Sequence, residues 1–358
     1  MRDIAFQGGD GERERLWALW RWGVWLGFFL LYALTTARGV LPADSGEFQL
    51  GAAEWGILHP PGYPLYTMVG AFWVRLLLAG TVPFRINLLS AALAALTLLL
   101  TAEAVRTWVR SWDLGAIPAL WGGMGAALLL GVAPTFWAQA TTANIRMPTL
   151  LFTAWGFLAL ARYAAALKEE AATLSTSFAS ARSLMALALA TGLGVGHHPS
   201  LIFTATGWLL YLLLIHPALL IKPRRWWKPA LVAALAWLLP QLYLPIRGGM
   251  QNVALASPEM ALDTWEGFWG HVLARGFAGD MFAFANPSDL ALRLPLLGSL
   301  FRLQFPPLWL GLALAGWIWL AVRRWRLALG LLLSWGVHTF VTITYRAPQT
   351  VEYLMPAY

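Results

Sequence analysis

The sequence predicts an all-α, polytopic membrane protein. Of its 358 residues, 59% are hydrophobic, 12% are charged and 22 are tryptophan, whereas a soluble globular domain carries about 25% charged residues. The mean hydropathy of +0.61 and the length of the apolar segments exclude a soluble enzyme. The chain contains no cysteine, which rules out disulfides, thiolate catalysis and cysteine metal sites.

Nine apolar segments are suited to crossing a bilayer as a helical bundle. They lie at about 16–36, 86–105, 116–133, 147–167, 184–196, 200–216, 229–246, 306–322 and 327–344. We therefore predict an N-terminal tail at 1–15 and one transmembrane domain at 16–358. The first segment resembles a signal peptide because Arg13 and Arg15 precede it, but it is too long and no A-x-A site follows.

The segment 65–79 decides the orientation of the bundle. It is short, follows a proline-rich turn and carries Arg75. If it does not cross, the basic loops all lie on the side of the N-terminus, as the positive-inside rule requires. The residues concerned are Arg106, Arg110, Lys222, Arg224, Arg225, Lys228, Arg323, Arg324 and Arg326. We therefore predict a cytoplasmic N-terminus, with 65–79 as an interfacial or re-entrant helix on the outer face.

The net charge of +8 does not indicate a nucleic-acid partner, because 22 of the 25 basic residues are arginines that mostly end apolar segments. The predicted topology places the polar and histidine-containing segments on the outer face of a plasma membrane of bacterial type. These segments are 37–84, 134–146, the turn at 197–198, 247–305 and the tail from 346. A functional site is therefore expected to face outward.

The first outer loop contains Asp44 and Glu47, which share one face if a helix begins at Ser45. They could act in proton transfer or bind a cation; the alternative is a capping box at the start of that helix. His59 follows in the run His59-Pro60-Pro61-Gly62-Tyr63-Pro64, a stiff connection. We predict that His59 and Tyr63 line the same recess as the acids.

Two further outer segments carry candidate substrate-binding residues. Arg146 could bind a phosphate or could snorkel to the interface. His197 and His198 follow the glycine run 192–196, which we interpret as close helix packing. Because adjacent helical residues point about 100° apart, these histidines are predicted to contact phosphate or form hydrogen bonds rather than to share a metal ion.

The segment after the seventh apolar stretch combines aromatic and ionisable residues. Arg247 ends that stretch, and Glu266 and His271 lie among tryptophans at 264–275. The pattern is typical of an interfacial aromatic belt and equally of a platform for a sugar or a lipid headgroup. Composition alone does not choose between these two interpretations.

Several of these motifs together resemble a family of GT-C-type membrane glycosyltransferases, known as a domain of unknown function and related to the protein O-mannosyltransferases. The resemblance rests on segments 44–47, 56–66, 85–91, 196–198, 244–247, 264–269 and 352–358. The segments 44–47 and 56–66 are the most specific. All seven segments follow one another in the family's order and together extend over nearly the whole chain.

The resemblance implies a GT-C fold and sugar transfer, with inversion, from a polyprenyl-phosphate donor to a protein or glycan hydroxyl. It implies that Asp44 is the general base and that Glu47 supports it. Arg146, His197, His198 and Arg247 would then receive the departing phosphate. No cofactor is certain, and the sequence leaves open a divalent metal.

Two departures from the family pattern keep other functions open. Ala143-Asn144-Ile145-Arg146 stands where the family has an acidic residue and a tyrosine, and the chain stops where the family begins another spanning helix. We therefore expect the sequence to be part of a longer bundle. The alternatives are a transporter or lipid flippase, which the broken helix at 192–199 would suit, and a non-catalytic scaffold of the same fold.

Overall fold

The computed structural model describes residues 10–173, 178–250, 261–347 and 349–358, with the side chains from residue 17 onward. Residues 1–9 of the predicted tail lie outside the described residues, as do parts of the loops 168–182 and 247–305. The described chain contains helices and no strand, so the prediction of an all-α polytopic membrane protein is confirmed.

Seventeen α-helices follow one another along the described chain. They are α1 (Asp10–Thr35), α2 (Ala43–Glu54), α3 (Pro64–Leu76), α4 (Val82–Ser111), α5 (Ala116–Gly131), α6 (Pro134–Ala140), α7 (Arg146–Thr173), α8 (Phe178–His197), α9 (Leu201–Ile215), α10 (Ala218–Ile221), α11 (Pro223–Gln241), α12 (Tyr243–Gly248), α13 (Trp265–Val272), α14 (Pro287–Gln304), α15 (Pro307–Arg323), α16 (Trp325–Thr344) and α17 (Thr350–Tyr353). Two 3-10 turns lie at Arg275–Asp280 and Met355–Ala357.

All nine predicted spans fall on helices, but they do not all have the length of a simple span. Six helical segments in the described chain are long and apolar enough to cross a bilayer, and the total rises to eight if each of two bent pairs is one span. The pairs are α5 with α6, bent by 74°, and α14 with α15, bent by 106°. Helix α9 matches the predicted span 200–216 but has only 15 residues, fewer than the ~20 that a straight crossing needs.

The loop between α1 and α4 forms two short helices instead of a span. Helix α3 occupies the ambiguous segment 65–79 and has 13 residues, too few to cross a hydrocarbon core of about 30 Å. Helix α2 lies before it, and both pack against α4. The loop between α1 and α4 is therefore a folded layer at the N-terminal end of α4.

Small residues let the long helices approach closely. A Cβ added at Gly192 of α8 would lie 2.3 Å from the Ala233 carbonyl oxygen of α11, and one at Gly207 of α9 would lie 2.0 Å from the Gly330 carbonyl oxygen of α16. Neither backbone pair could approach so closely with a larger side chain. The glycine run 192–196 therefore serves helix packing, as its context predicted.

Candidate functional site

Helix α2 begins without the cap that its sequence suggests. Its N-cap residue is Pro42, with no side-chain cap hydrogen bond, and Ala43 has φ 55° in the left-handed region. A Cβ at Gly46 would lie 2.4 Å from the Leu41 carbonyl oxygen, so the first turn lies directly against the preceding chain. The capping-box interpretation of Asp44 and Glu47 is wrong, because neither carboxylate caps the helix.

Glu47 binds the proline-rich connection instead. Its Oε1 accepts a hydrogen bond of 2.6 Å from the backbone N–H of His59, and its Oε2 lies 2.7 Å from Nδ1 of the same residue. Burial alone would lower the pKa of His59, but the hydrogen bond and charge of Glu47, with the charge of Asp44, raise it above 6.5. A protonated His59 therefore forms an ion pair with Glu47.

Asp44 completes this group, and its carboxylate takes no hydrogen bond or ion pair from any residue of the described chain. Ligand atoms of Asp44, Glu47 and His59 all lie within 4.8 Å of one another. Two carboxylates and an imidazole are suitable ligands for a divalent cation. Such a cation would have to replace the hydrogen bond between Glu47 and the ring of His59.

Aromatic side chains wall the group on one side. The Tyr63 ring is 3% exposed, lies 5.3 Å from His59 and stacks at 5.9 Å on His198, measured between ring centroids. Burial raises the pKa of Tyr63 well above its ordinary value, and the charges of Asp44, Glu47 and Arg146 all act on it. Tyr63 is therefore a neutral side chain that packs against both His59 and His198.

Arg146 is the cation of the site. It is 7% exposed, its Nε lies 3.8 Å from a carboxylate oxygen of Glu352, and its guanidinium carbon lies 3.5 Å from the centre of the Tyr353 ring. Asn144 accepts hydrogen bonds from the backbone N–H groups of Arg146 and Met147, and so starts α7 as an N-cap. The buried position does not fit an arginine that snorkels to the interface.

The two adjacent histidines have different partners, as predicted from their spacing. Nε2 of His197 lies 2.9 Å from the carbonyl oxygen of Ile145, and its buried Nδ1 has no hydrogen-bond partner among the described residues. Nδ1 of His198 accepts a hydrogen bond from the Ser200 backbone. Burial first, and then the charge of Arg146, lower the pKa of His198 well below 6.5, so this ring is neutral beside the guanidinium.

Three further predicted residues form no hydrogen bond or ion pair with Asp44, Glu47 or Arg146 in the described chain. Nε of Arg247 donates to the carbonyl oxygen of Trp55, 3.0 Å away, at the C-terminal end of α2, which is about 15 Å along the helix from its first turn. Glu266 is exposed at the start of α13. Nε2 of the buried His271 lies 3.0 Å from the carbonyl oxygen of Leu58, where it holds the backbone beside His59.

A buried amide network fixes the position of α2. Oδ1 of Asn87 on α4 accepts hydrogen bonds from Nε2 of Gln49, at 2.9 Å, and from the backbone of Ala143, at 2.8 Å. Its Nδ2 donates to the carbonyl oxygen of Ala37. One side chain therefore joins α4 to the chain before α2, to α2 itself and to the loop before α7.

Glu352 and Tyr353 are not among the residues predicted for the site. Both come from the end of the chain, about 200 residues beyond Arg146, and only their place in the segment 352–358 of the family resemblance pointed to them. Burial raises the pKa of Glu352, against the opposing charge of Arg146. Glu352 supplies a carboxylate 3.8 Å from Nε of Arg146.

The fold and this site define a polytopic helical membrane protein with a compact ionisable centre at one end of its bundle. A family model described as "Protein O-mannosyl-transferase TMEM260 N-terminal domain" matches residues 44–219. The predicted resemblance to a family related to the protein O-mannosyltransferases is thereby confirmed. No solved structure matches the chain.

Two curated relatives carry the corresponding name. The chain is 38% identical over 89 residues to protein O-mannosyl-transferase TMEM260 of Mus musculus. This match covers 23% of this chain and 13% of the mouse protein. It is 24% identical over 127 residues to protein O-mannosyl-transferase tmem260 of Dictyostelium discoideum. That match covers 35% of this chain and 14% of the Dictyostelium protein. The matches thus span only a small part of either relative.

Proposed function

We propose that this protein is a membrane glycosyltransferase that moves a sugar from a polyprenyl-phosphate donor to a hydroxyl of a protein or glycan. Transfer takes place on the outer face and inverts the anomeric carbon. The names of the two relatives support the sugar transfer and the protein acceptor. The donor class and the inversion rest on the GT-C resemblance, and the outer face on the distribution of basic loops.

The free carboxylate of Asp44 is the observation on which the proposal depends. An acid that neither caps its helix nor forms an ion pair within the described chain remains available to accept a proton. The neighbouring Glu47 already binds His59 through both oxygens. Asp44 is therefore the base, and Glu47 positions the loop that carries His59.

The proposed step is a single displacement. The acceptor hydroxyl gives its proton to Asp44 as its oxygen forms a bond to the anomeric carbon. The bond between that carbon and the phosphate oxygen breaks, and the oxygen keeps the electron pair. The polyprenyl phosphate leaves with additional negative charge, which a fixed cation must stabilise.

Arg146 is the cation best placed for that phosphate. Its burial strengthens electrostatic interactions, and its planar guanidinium can hold two phosphate oxygens at once. It would have to exchange its contact with Glu352 for the phosphate. His198 and the unpartnered Nδ1 of His197 offer further hydrogen bonds, whereas the phosphate role of Arg247 remains a prediction from the sequence.

The experiment is the substitution Asp44→Asn, assayed with purified protein in lipid. The donors are polyprenyl-phosphate mannose and related polyprenyl-phosphate sugars, and the acceptors are serine- and threonine-containing peptides. We expect a loss of transfer on the order of 10²- to 10⁴-fold. The melting temperature should stay near that of the parent, because Asp44 makes no cap hydrogen bond.

The matched control is Glu54→Gln, which neutralises an exposed acid at the other end of α2. It should transfer sugar at the parental rate. A parent protein that transfers none of these sugars would overturn the proposed function. Normal turnover in Asp44→Asn would remove Asp44 from the role of base.

A further inference from the structure

A cavity lies at the opposite end of the bundle from Asp44. It has a volume of about 390 Å³ and is lined by residues of α4, α7, α9, the end of α15 and the start of α16. On α4, about 21 residues separate Asn87, at the candidate site, from Trp108, at this cavity, which is roughly 30 Å of helix. That distance matches the hydrocarbon thickness of a bilayer, so the two sites face opposite membrane surfaces.

The rim of this cavity carries uncompensated positive charge. Arg323, Arg324 and Arg326 all line it, and none of them forms an ion pair with a carboxylate of the described chain. Lys168 is also present, but its Nζ lies 2.5 Å from the Asp113 carboxylate and is therefore neutralised. Three guanidinium groups thus remain to attract an anion.

The floor of the cavity is aromatic and apolar. Trp108 and Tyr211 are 8% and 6% exposed and meet edge to face, with 5.5 Å between ring centroids. The guanidinium carbon of Arg324 lies 6.0 Å from the centre of the Trp112 ring. A cationic rim above an aromatic floor suits an amphiphile, whose phosphate contacts the arginines and whose glycerol and first methylenes contact the rings.

Anchoring of the bundle at the interface does not account for this arrangement. Arginines that only obey the positive-inside rule extend outward into the headgroup layer. Here the three arginines, although exposed, border a cavity whose walls come from five helices, and its volume lies within the range of small-molecule sites, about 300–1,000 Å³. The tertiary structure, and not one helix end, creates the site.

We infer that this cavity binds the phosphate group of an anionic membrane lipid in the leaflet opposite the Asp44 site. The inference is independent of the proposed function, since it uses none of the residues around Asp44. Free inorganic phosphate shares the same chemistry, but it offers nothing to the aromatic floor. A lipid should therefore bind more tightly than the free ion.

The test uses native mass spectrometry of the purified protein in neutral detergent. Phosphatidylglycerol, phosphatidylcholine with the same acyl chains, and inorganic phosphate are titrated separately. We expect one phosphatidylglycerol to be retained at concentrations where phosphatidylcholine and phosphate are not. Equal retention of phosphatidylglycerol and phosphatidylcholine would overturn the inference, and retention of inorganic phosphate at the lipid's concentration would identify a soluble phosphate compound as the ligand.

The variant pair separates this cavity from general surface charge. The double variant Arg324→Gln/Arg326→Gln should bind phosphatidylglycerol at least about tenfold more weakly. Arg224→Gln, which removes an exposed arginine of another basic loop, should bind it like the parent. Equal weakening in both variants, or in neither, would show that this cavity does not bind the lipid.

Discussion

At the scale of single residues, the environment of each ionisable group decides its role. Asp44 and Glu47 are alike in chemistry and three residues apart, yet Glu47 binds His59 through both oxygens while Asp44 is free within the described chain. Arg146 and Arg247 diverge in the same way. The first is buried beside Glu352 and Tyr353, and the second holds the carbonyl groups at the end of α2.

The ion pair between His59 and Glu47 should make stability depend on pH. Because the folded pKa of His59 is raised above 6.5, its contribution is fully present below pH 6.5 and is lost as the pH rises through the folded pKa. We therefore expect the parent to have the higher melting temperature. The difference from His59→Asn should be largest at low pH and should decrease progressively above pH 6.5. Thermal unfolding across this range measures the difference.

His271 provides a contrast of opposite sign. Burial lowers its folded pKa, so its neutral form contributes stability that falls as the pH drops below 6.5. The difference between the parent and His271→Asn should therefore shrink toward low pH. Parallel pH profiles for the two variants would contradict both assignments.

At the scale of elements, α2 is held by polar contacts as well as by apolar packing. Its first turn donates from the Ser45 hydroxyl to the Ala143 carbonyl oxygen, and its middle binds Asn87 through Gln49. Such contacts are directional and therefore fix the rotation of the helix about its axis. That rotation points Asp44 toward His59 instead of toward the lipid.

Asn87→Ala should be strongly destabilising. It leaves the side-chain amide of Gln49 and two backbone groups without this partner, and each unsatisfied buried group costs about 1–3 kcal/mol. Ser90→Ala is the control on the same helix, because the buried Ser90 hydroxyl has no hydrogen-bond partner among the described residues. Thermal unfolding in detergent should show a large loss for Asn87→Ala and almost none for Ser90→Ala; similar losses would exclude the network as the cause.

At the scale of the whole molecule, the bundle separates two chemically different ends. Helix α7 joins them, because Arg146 at the Asp44 site and Lys168 at the arginine-lined cavity are 22 residues apart on this helix, a distance of about 33 Å. One end collects acids, histidines and buried aromatics, and the other collects the basic connectors. The predicted topology would place these two ends at opposite membrane surfaces.

Cysteine labelling tests that topology directly, since the chain has no cysteine. A membrane-impermeant maleimide applied to intact cells should label Asp263→Cys and should not label Glu169→Cys, although both positions are exposed. Permeabilisation should make both reactive. Labelling of Glu169→Cys in intact cells would reverse the orientation and place the Asp44 site on the cytoplasmic side.

The sequence by itself determined the fold class and the approximate spans, and it predicted that the site lies in the loop between α1 and α4. Apolar length and proline-rich turns are local properties, and the bilayer requires them regardless of packing. The tertiary structure decided the partners. It left the Asp44 carboxylate without the hydrogen bond of the alternative capping box. It also placed Arg247 at the end of α2 and brought Glu352 to Arg146. Contacts between residues distant in sequence depend on how helices rotate and cross, and hydrophobic periodicity does not specify those angles.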